Sequence, residues 1–217
     1  MPPIAILTDS GAQFIHATFP GKDLVKVIPL IPTNLTGQDG YRLVAPSDQE
    51  IQLILKNASQ SSTCVFAILT SGYLSALPNQ ILRLIKESSA VPKIVIIDSL
   101  STGVGTGYLV EKTAELASIG KSSPEIEQNI RRCCTSVYTT IILPDLSTLV
   151  PIGLVDAAQS NAASILGIQS IFSMEEGLPT PLVKVRNRHT AFEYLVEFLD
   201  EFEKFNLAAF VHNADLA

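Results

Sequence analysis

Three apolar segments of this sequence each end in a run of hydroxyl, acidic and small residues, and these runs are where chemistry could occur. The runs are Thr8-Asp9-Ser10-Gly11, Thr70-Ser71-Gly72-Tyr73-Leu74-Ser75 and Asp98-Ser99-Leu100-Ser101-Thr102-Gly103-Val104-Gly105. Hydroxyls and free backbone N–H groups at a helix start suit an anion, and the helix dipole adds roughly 0.3–1 kcal/mol per helix. The same residue types are also ordinary caps and turn formers, so the interpretation requires that the three loops meet.

Other kinds of catalytic site find less support in the sequence. The histidines lie far apart and in no motif: His16, His189 and His212. Asp9 and Asp98 could pair across neighbouring strand ends, but without a ligating histidine we predict no tight metal site and no cofactor. The segment Gly103–Gly107 lacks the glycine spacing of a dinucleotide-binding loop.

The composition limits the classes of partner. Among 217 residues, 15 Lys and Arg stand against 21 Asp and Glu, which gives a net charge of −6. Nucleic acids and anionic membrane surfaces require clustered cations, so neither is predicted as the main partner. No apolar stretch approaches the ~20 residues of a membrane span. The sequence has 3 cysteines, too few for a disulfide framework, which favours the reducing cytoplasm.

The elements that must position the loops alternate between strands and helices. Short apolar runs predict strands at Ile4–Leu7, Val25–Pro29, Cys64–Leu69 and Lys93–Ile97. Between them, Ser47 with Glu50 three residues later predicts a capped helix, and a further helix is predicted near Tyr108–Ile119. Residues 1–135 are therefore predicted to form a mostly parallel sheet with helices on both faces, in which all strand carboxyl ends share one edge.

The pattern begins afresh after residue 135, and residues 136–217 are predicted to form a second, smaller α/β domain. Glu175-Glu176-Gly177 predicts a hairpin turn between two strands. Helix His189–Lys204 is predicted to turn Phe192, Leu195, Val196 and Leu199 inward, and Leu207–His212 is predicted as a last strand.

The order of these segments resembles the DegV family of bacterial fatty-acid-binding proteins over almost the whole chain. Five segments carry the resemblance: Ile6–Ala12, Val27–Leu30, the serine-rich Leu69–Ala76, Asp98–Gly107 and Leu182–Arg186. Each motif is moderately specific, and their shared order is the stronger argument.

The resemblance implies a function. A long-chain fatty acid would lie in a tunnel between two α/β domains, and its carboxylate would be held by Thr70, Ser71 and Ser75, with Asp9 and Ser10 beside them. The implied tunnel residues are Leu74, Thr102, Gly103 and Val104. Members of the family present the fatty acid to a kinase subunit and are not themselves the kinase, so the resemblance implies a carrier rather than an enzyme.

The sequence also departs from the family. Leu43–Ser47 stands where the family has a Thr-Ser-Gln stretch, Ile152–Val155 replaces Gly-Gly-Arg-Ile, and the chain stops at Ala217, before the family's C-terminal strand. These departures bear more on transfer to a kinase than on lipid binding. Two alternatives stay open: a phosphotransferase or hydrolase of the dihydroxyacetone-kinase-like fold, using Asp9 or Asp98 with His16 nearby, and a degenerate partner subunit that binds nothing.

Overall fold

The computed structural model describes residues 3–34, 41–87, 93–150 and 153–211. Ile152 and His212, which the sequence interpretation includes, lie outside the described residues. The described chain forms two compact units. Residues 3–34, 41–87, 93–139 and 174–178 make up the first unit, and residues 140–150, 153–173 and 179–211 make up the second.

The bounds of the elements follow the predicted alternation. The strands are β1 Ile4–Asp9, β2 Val25–Ile28, β3 Ile31–Asn34, β4 Tyr41–Val44, β5 Cys64–Leu69, β6 Lys93–Asp98, β7 Thr140–Leu143, β8 Gln169–Glu175 and β9 Leu178–Val185. The α-helices are α1 Asp48–Gln60, α2 Leu77–Glu87, α3 Gly103–Ser118, α4 Ser123–Cys134, α5 Ala157–Ile165 and α6 Arg188–Asp200. Single 3₁₀ turns occupy Lys22–Leu24 and Ser147–Leu149.

The first unit is built on a parallel sheet with the strand order β2-β1-β5-β6. Each neighbouring pair is parallel, with Ile6 opposite Phe66 and Phe66 opposite Val95. Every residue of β5 is buried, as expected for a central strand covered on both faces. The predicted parallel sheet is confirmed, and its geometry brings the carboxyl ends of β1, β5 and β6 to one edge.

Alternation along each strand supplies one apolar set for each face of the sheet. On one face, Leu7 of β1 and Ala67 of β5 pack with buried residues of α1 and α2, such as Ile51 and Ile81. On the other face, Ile6 and Phe66 pack with buried residues of α3 and α4. Helices on both faces are therefore confirmed.

Two helices with a serine N-cap, α1 and α4, both begin with a capping box. Ser47 and Glu50 form the predicted capping box at the start of α1, and Ser122 with Glu125 forms another at α4. In α4, hydrogen bonds from the Ser122 hydroxyl and backbone, and then Lys121, lower the pKa of Glu125 from 4.5 to about 2.

A lowered carboxyl pKa predicts the pH range in which this cap stabilises the protein. The contribution of Glu125 is fully present above its unfolded pKa of 4.5 and is lost as the pH falls through about 2. We therefore expect the wild-type protein to be more stable than Glu125→Gln near pH 5, and the difference to shrink as the pH is lowered. Denaturant unfolding of both proteins over that range measures this difference, and a constant difference would contradict the assignment.

The second unit is smaller and contains the sheet β7-β8-β9 with α5 and α6. The predicted hairpin is present, since β8 and β9 are neighbours joined at Glu176 and Gly177, which both have positive φ, 50° and 86°. A two-residue turn of that kind suits hairpin strands. The division of function between residues 1–135 and 136–217 stays a prediction.

Several local predictions were wrong. Residues 207–211 are described and form no strand; they are exposed, and an apolar run without a neighbouring strand gains no ladder hydrogen bonds. Phe192 and Val196 of α6 are 59% and 57% exposed rather than inward, whereas Leu195 and Leu199 are half-buried and Ala191 is the buried residue of that helix. The antiparallel pair β3–β4 was not predicted, because the first of its strands carries the helix- and sheet-breaking Pro32.

Candidate functional site

Asp9, the last residue of β1, joins two of the predicted loops. Its side chain is fully buried. The Oδ1 atom accepts hydrogen bonds from the Gly11 N–H at 2.8 Å and from the Thr70 hydroxyl at 2.7 Å. The Oδ2 atom accepts from the Thr70 N–H at 2.8 Å. Three donors therefore cover this carboxylate, which is what burial of a charge requires.

The backbone of the loop after β5 is held from both sides. The Thr70 N–H donates to Asp9, the Ser71 N–H donates to the Ser101 carbonyl at 2.9 Å, and the Gly72 N–H donates to Asp98 Oδ2 at 2.9 Å. Three successive amides are thus already bonded to the flanking loops. These three amides are therefore not available to cradle an anion in the manner of a phosphate-binding loop, which leaves hydroxyl groups of this loop as candidate donors.

The two aspartates do not form the carboxylate pair that the sequence suggested. β5 lies between β1 and β6, so Asp9 and Asp98 stand at strand ends that are not neighbours. Two strand spacings amount to roughly 10 Å. Each carboxylate instead binds a different amide of the intervening loop, and Asp98 Oδ1 also accepts from the Leu100 N–H at 2.9 Å.

Two of the predicted head-group hydroxyls already donate their hydrogens. The Thr70 hydroxyl donates to Asp9. The Ser71 hydroxyl donates to the Gly177 carbonyl at 2.5 Å, in the turn between β8 and β9, and Ser71 is fully buried. Gly177 is a site residue that the sequence did not reveal, because it lies 106 residues further along the chain.

The hydroxyls of Ser10 and Ser75 accept hydrogen bonds instead of donating them. Ser10 Oγ accepts the Leu30 N–H at 2.9 Å, and Ser75 Oγ accepts the Leu77 N–H at 3.3 Å. Within the described part of the chain, neither O–H has an acceptor. Each oxygen is therefore fixed in place by a backbone amide, while its hydrogen can still be donated to a ligand.

The residues predicted to line a tunnel lie at the same edge of the sheet. Leu74 follows Ser71 and donates its N–H to the Ser71 carbonyl at 2.9 Å. Thr102 is the N-cap of α3, and Gly103 and Val104 lie in its first turn. Like Leu74, these three residues are half-buried. The helix begins at Gly103 rather than near Tyr108, so the predicted loop was too long.

The glycines at the start of α3 serve close packing of the backbone. Gly103 exchanges hydrogen bonds with the segment after β1, donating to the Gly11 carbonyl at 3.0 Å and accepting from the Gln13 N–H at 2.9 Å. A Cβ added at Gly107 would lie 1.9 Å from the Gln13 carbonyl oxygen. This crowding explains why a glycine-rich helix start can occur without a nucleotide site.

His16, the histidine considered for catalysis, binds α3. Its Nδ1 lies 2.7 Å from Glu111 Oε2, and Glu111 Oε1 accepts the N–H groups of Ile15 at 2.6 Å and His16 at 3.0 Å. The side chain of Glu111 is 9% exposed and that of His16 is 62% exposed. No sequence signal pointed to Glu111, because it is 95 residues from its partner.

The described residues show neither a metal site nor a membrane span. Among the residues that the structure describes, no group of three His, Cys, Asp or Glu side chains could hold a metal ion. No described helix has both the length and the apolar character needed to cross a bilayer. Burial raises the pKa of the Cys134 thiol to about 11, so little of it is thiolate near neutral pH.

Comparison with known sequences places the chain among related proteins. A family model described as "Uncharacterised protein, DegV family" matches residues 43–216. The DegV domain-containing protein YteA of Lactococcus lactis is 28% identical over 156 residues, which are 70% of this chain and 53% of that protein. TTE1491 of Caldanaerobacter subterraneus, also a DegV domain-containing protein, is 25% identical over 225 residues, covering 92% of this chain and 77% of that protein. The chain thus spans about half the length of YteA.

Solved structures share the fold. The fatty acid binding DegV family protein SAG1342 of Streptococcus agalactiae has a TM-score of 0.75 at 22% identity, covering 93% of this chain and 78% of that one. The Streptococcus pneumoniae Fatty Acid Kinase (Fak) B3 protein, loaded with linoleic acid, has a TM-score of 0.68 at 19% identity, covering 91% and 78%. At these identities the likeness establishes the architecture alone.

Proposed function

This chain belongs to the DegV family, and from that premise we propose that it binds a long-chain fatty acid whose carboxylate is held by hydroxyl groups at the ends of β1 and β5. Relatives of the same fold are described as fatty acid binding proteins, and two were crystallised with heptadecanoic acid and linoleic acid. Those ligands belong to those proteins, and the local geometry of this chain supplies the independent support.

One observation carries the proposal: Ser10 and Ser75 hold O–H groups that have no acceptor in the described chain, beside a loop whose backbone is fixed. Their oxygens are anchored by the Leu30 and Leu77 amides. A hydroxyl held in this way donates to a carboxylate with little loss of freedom on binding. The three donors around Asp9 keep the neighbouring negative charge satisfied.

Ser71 is proposed to contribute less binding free energy than Ser10 and Ser75. Its hydrogen is already donated to the Gly177 carbonyl, so a ligand carboxylate must replace that acceptor. Exchange of one hydrogen bond for another leaves only their difference as binding free energy. Among the predicted head-group residues, Ser10 and Ser75 are therefore proposed as the main donors. Thr70 and Asp9 are proposed to hold the two loops together through their hydrogen bonds.

The acyl chain is proposed to leave this edge past Leu74, Thr102, Gly103 and Val104. Burial of a methylene group contributes roughly 0.8 kcal/mol, so a ~14-methylene chain contributes about 11 kcal/mol before the costs of ordering. Hydrogen bonds to a charged head contribute about 1.5–3 kcal/mol each and fix its direction. The chain therefore supplies most of the affinity, and the course of the ligand beyond these residues stays a prediction.

The proposed role is that of a carrier, which presents its fatty acid to a kinase subunit. The geometry offers less to a hydrolase or phosphotransferase, because Asp9 and Asp98 are occupied by backbone amides and His16 is bound to Glu111. A catalytic base must be able to reach a substrate proton.

Serine-to-alanine variants test the head-group assignment. We expect Ser10→Ala and Ser75→Ala each to weaken palmitate binding about tenfold to a hundredfold, since each removes one hydrogen bond to a charged group, and Ser71→Ala to weaken it less. Methyl palmitate, which lacks the negative charge, should bind the variants and the wild type with similar affinity. Ser118→Ala, at the exposed end of α3, is the matched control.

Two results would count against the assignment. If Ser71→Ala weakened binding more than Ser10→Ala and Ser75→Ala, the Gly177 contact would not compete with the ligand. If all three variants bound palmitate as the wild type does, the carboxylate would lie elsewhere.

A further inference from the structure

The turn between β8 and β9 covers the Ser71 hydroxyl. Residues 174–178, which include this turn, belong to the same compact unit as Ser71. Gly177 is buried and its carbonyl accepts the Ser71 hydroxyl at 2.5 Å, whereas Glu176 beside it is exposed. A Cβ added at Gly177 would lie 2.8 Å from Ser71 Oγ and 3.3 Å from Leu100 Cδ2. The turn therefore packs directly on the loops that follow β5 and β6.

The Ser71 hydroxyl is held at its oxygen and has one hydrogen to give. The Tyr73 N–H donates to Ser71 Oγ at 3.2 Å. A hydroxyl donates one hydrogen bond, so a ligand that receives this hydrogen must take the place of the Gly177 carbonyl. Because Ser71 is fully buried, a ligand reaches its hydroxyl only when a covering segment moves, and the turn is the segment bonded to that hydroxyl.

The charge of the ligand's head group decides which acceptor the Ser71 hydroxyl prefers. The Gly177 carbonyl is a neutral acceptor. A methyl ester offers another neutral carbonyl, so exchanging one for the other gains little. A carboxylate is ionised, and hydrogen bonds to ionised acceptors are roughly twice as strong as bonds between neutral groups. A fatty acid can therefore displace the Gly177 carbonyl where its ester cannot.

We propose that the Gly177 carbonyl is a built-in competitor for the fatty-acid carboxylate. It holds the Ser71 hydroxyl until a negatively charged head group takes its place, so Ser71 distinguishes an acid from an ester and the β8–β9 turn is released when the acid binds. This inference rests on the proposed function and adds to it a determinant of head-group specificity.

Selective isotope labelling allows the Gly177 carbonyl to be observed directly. The sequence has two Gly-Leu pairs, Gly177-Leu178 and Gly153-Leu154. Protein labelled with ¹³C at the glycine carbonyls and with ¹⁵N in leucine gives one carbonyl–amide NMR signal for each pair. The conservative variant Leu154→Ile removes the second signal and so assigns both. The Gly153 signal serves as the internal reference.

The experiment compares the wild type with Ser71→Ala and with Ser118→Ala, the matched control at the exposed end of α3. Each protein is measured alone, with saturating palmitate and with saturating methyl palmitate. In the wild type and Ser118→Ala, we expect palmitate to shift the Gly177 carbonyl signal upfield, as loss of an accepted hydrogen bond does, and methyl palmitate to leave it nearly unchanged. In Ser71→Ala, the signal should lie upfield before any addition, and palmitate should shift it no further.

Calorimetric titration of the same samples separates this inference from the proposed function. If the wild type binds no palmitate, the proposed function fails and this inference with it. If palmitate binds and the Gly177 signal stays in place, only the exchange of acceptors is overturned. Equal shifts with palmitate and methyl palmitate, or a palmitate shift that persists in Ser71→Ala, also overturn it, because passage of the acyl chain would then move the turn.

Discussion

Replacing palmitate by octanoate is expected to weaken binding to this protein by about four orders of magnitude. The eight methylene groups that octanoate lacks are together worth about 6 kcal/mol at roughly 0.8 kcal/mol each, and about 1.4 kcal/mol corresponds to a factor of ten. This is the largest effect that we expect, since the acyl chain supplies more of the affinity than the head group. Calorimetric titration of the delipidated protein with acids of increasing length measures it.

The head-group variants provide the control for this series. Hydroxyl and acyl contacts at separate places contribute independently, so Ser75→Ala should lower the affinity for every acid by a similar factor and leave the dependence on chain length unchanged. An affinity that changed less than about tenfold between octanoate and palmitate would show that the carboxylate alone is recognised, contrary to the proposed chain-burying site.

Replacing Asp9 by alanine is expected to lower the free energy of unfolding by about 3–5 kcal/mol. Asp9 is fully buried and accepts hydrogen bonds from the Gly11 N–H, the Thr70 N–H and the Thr70 hydroxyl. Alanine leaves both amides without their acceptor and disconnects the loops after β1 and β5. Asp9→Asn keeps one acceptor oxygen and should lose less. Denaturant unfolding measures both variants.

Asp23→Ala is the matched control for the Asp9 variants. Asp23 is exposed in the 3₁₀ turn Lys22–Leu24, so its removal should change the free energy of unfolding by no more than about 0.5 kcal/mol. If Asp9→Ala were as stable as Asp23→Ala, the carboxylate could not be what joins the two loops.

The sequence predicted those features that depend on local pattern. The apolar runs at Cys64–Leu69 and Lys93–Ile97 predicted buried parallel strands, because residues covered on both faces of a sheet need no polar alternation. Ser47 with Glu50 predicted a helix start that the structure confirms. The convergence of the three strand-end loops followed from the parallel arrangement alone.

The features that sequence reasoning missed depend on contacts between distant residues. The spatial order of the strands, which separates Asp9 from Asp98, leaves no local trace in the chain. The bonds from Ser71 to Gly177 and from His16 to Glu111 join residues 106 and 95 positions apart. The glycines of α3 could be read as a loop, because their close approach to Gln13 exists only in the folded chain.

The most direct test of the account is to ask whether the protein holds an acyl chain at all. Organic extraction of the purified protein followed by mass spectrometry, and then titration of the delipidated protein with palmitate, gives the answer. We predict a co-purifying long-chain fatty acid and saturable binding of one palmitate per chain. A preparation that yields no fatty acid on extraction and gives no binding signal with palmitate would contradict the account.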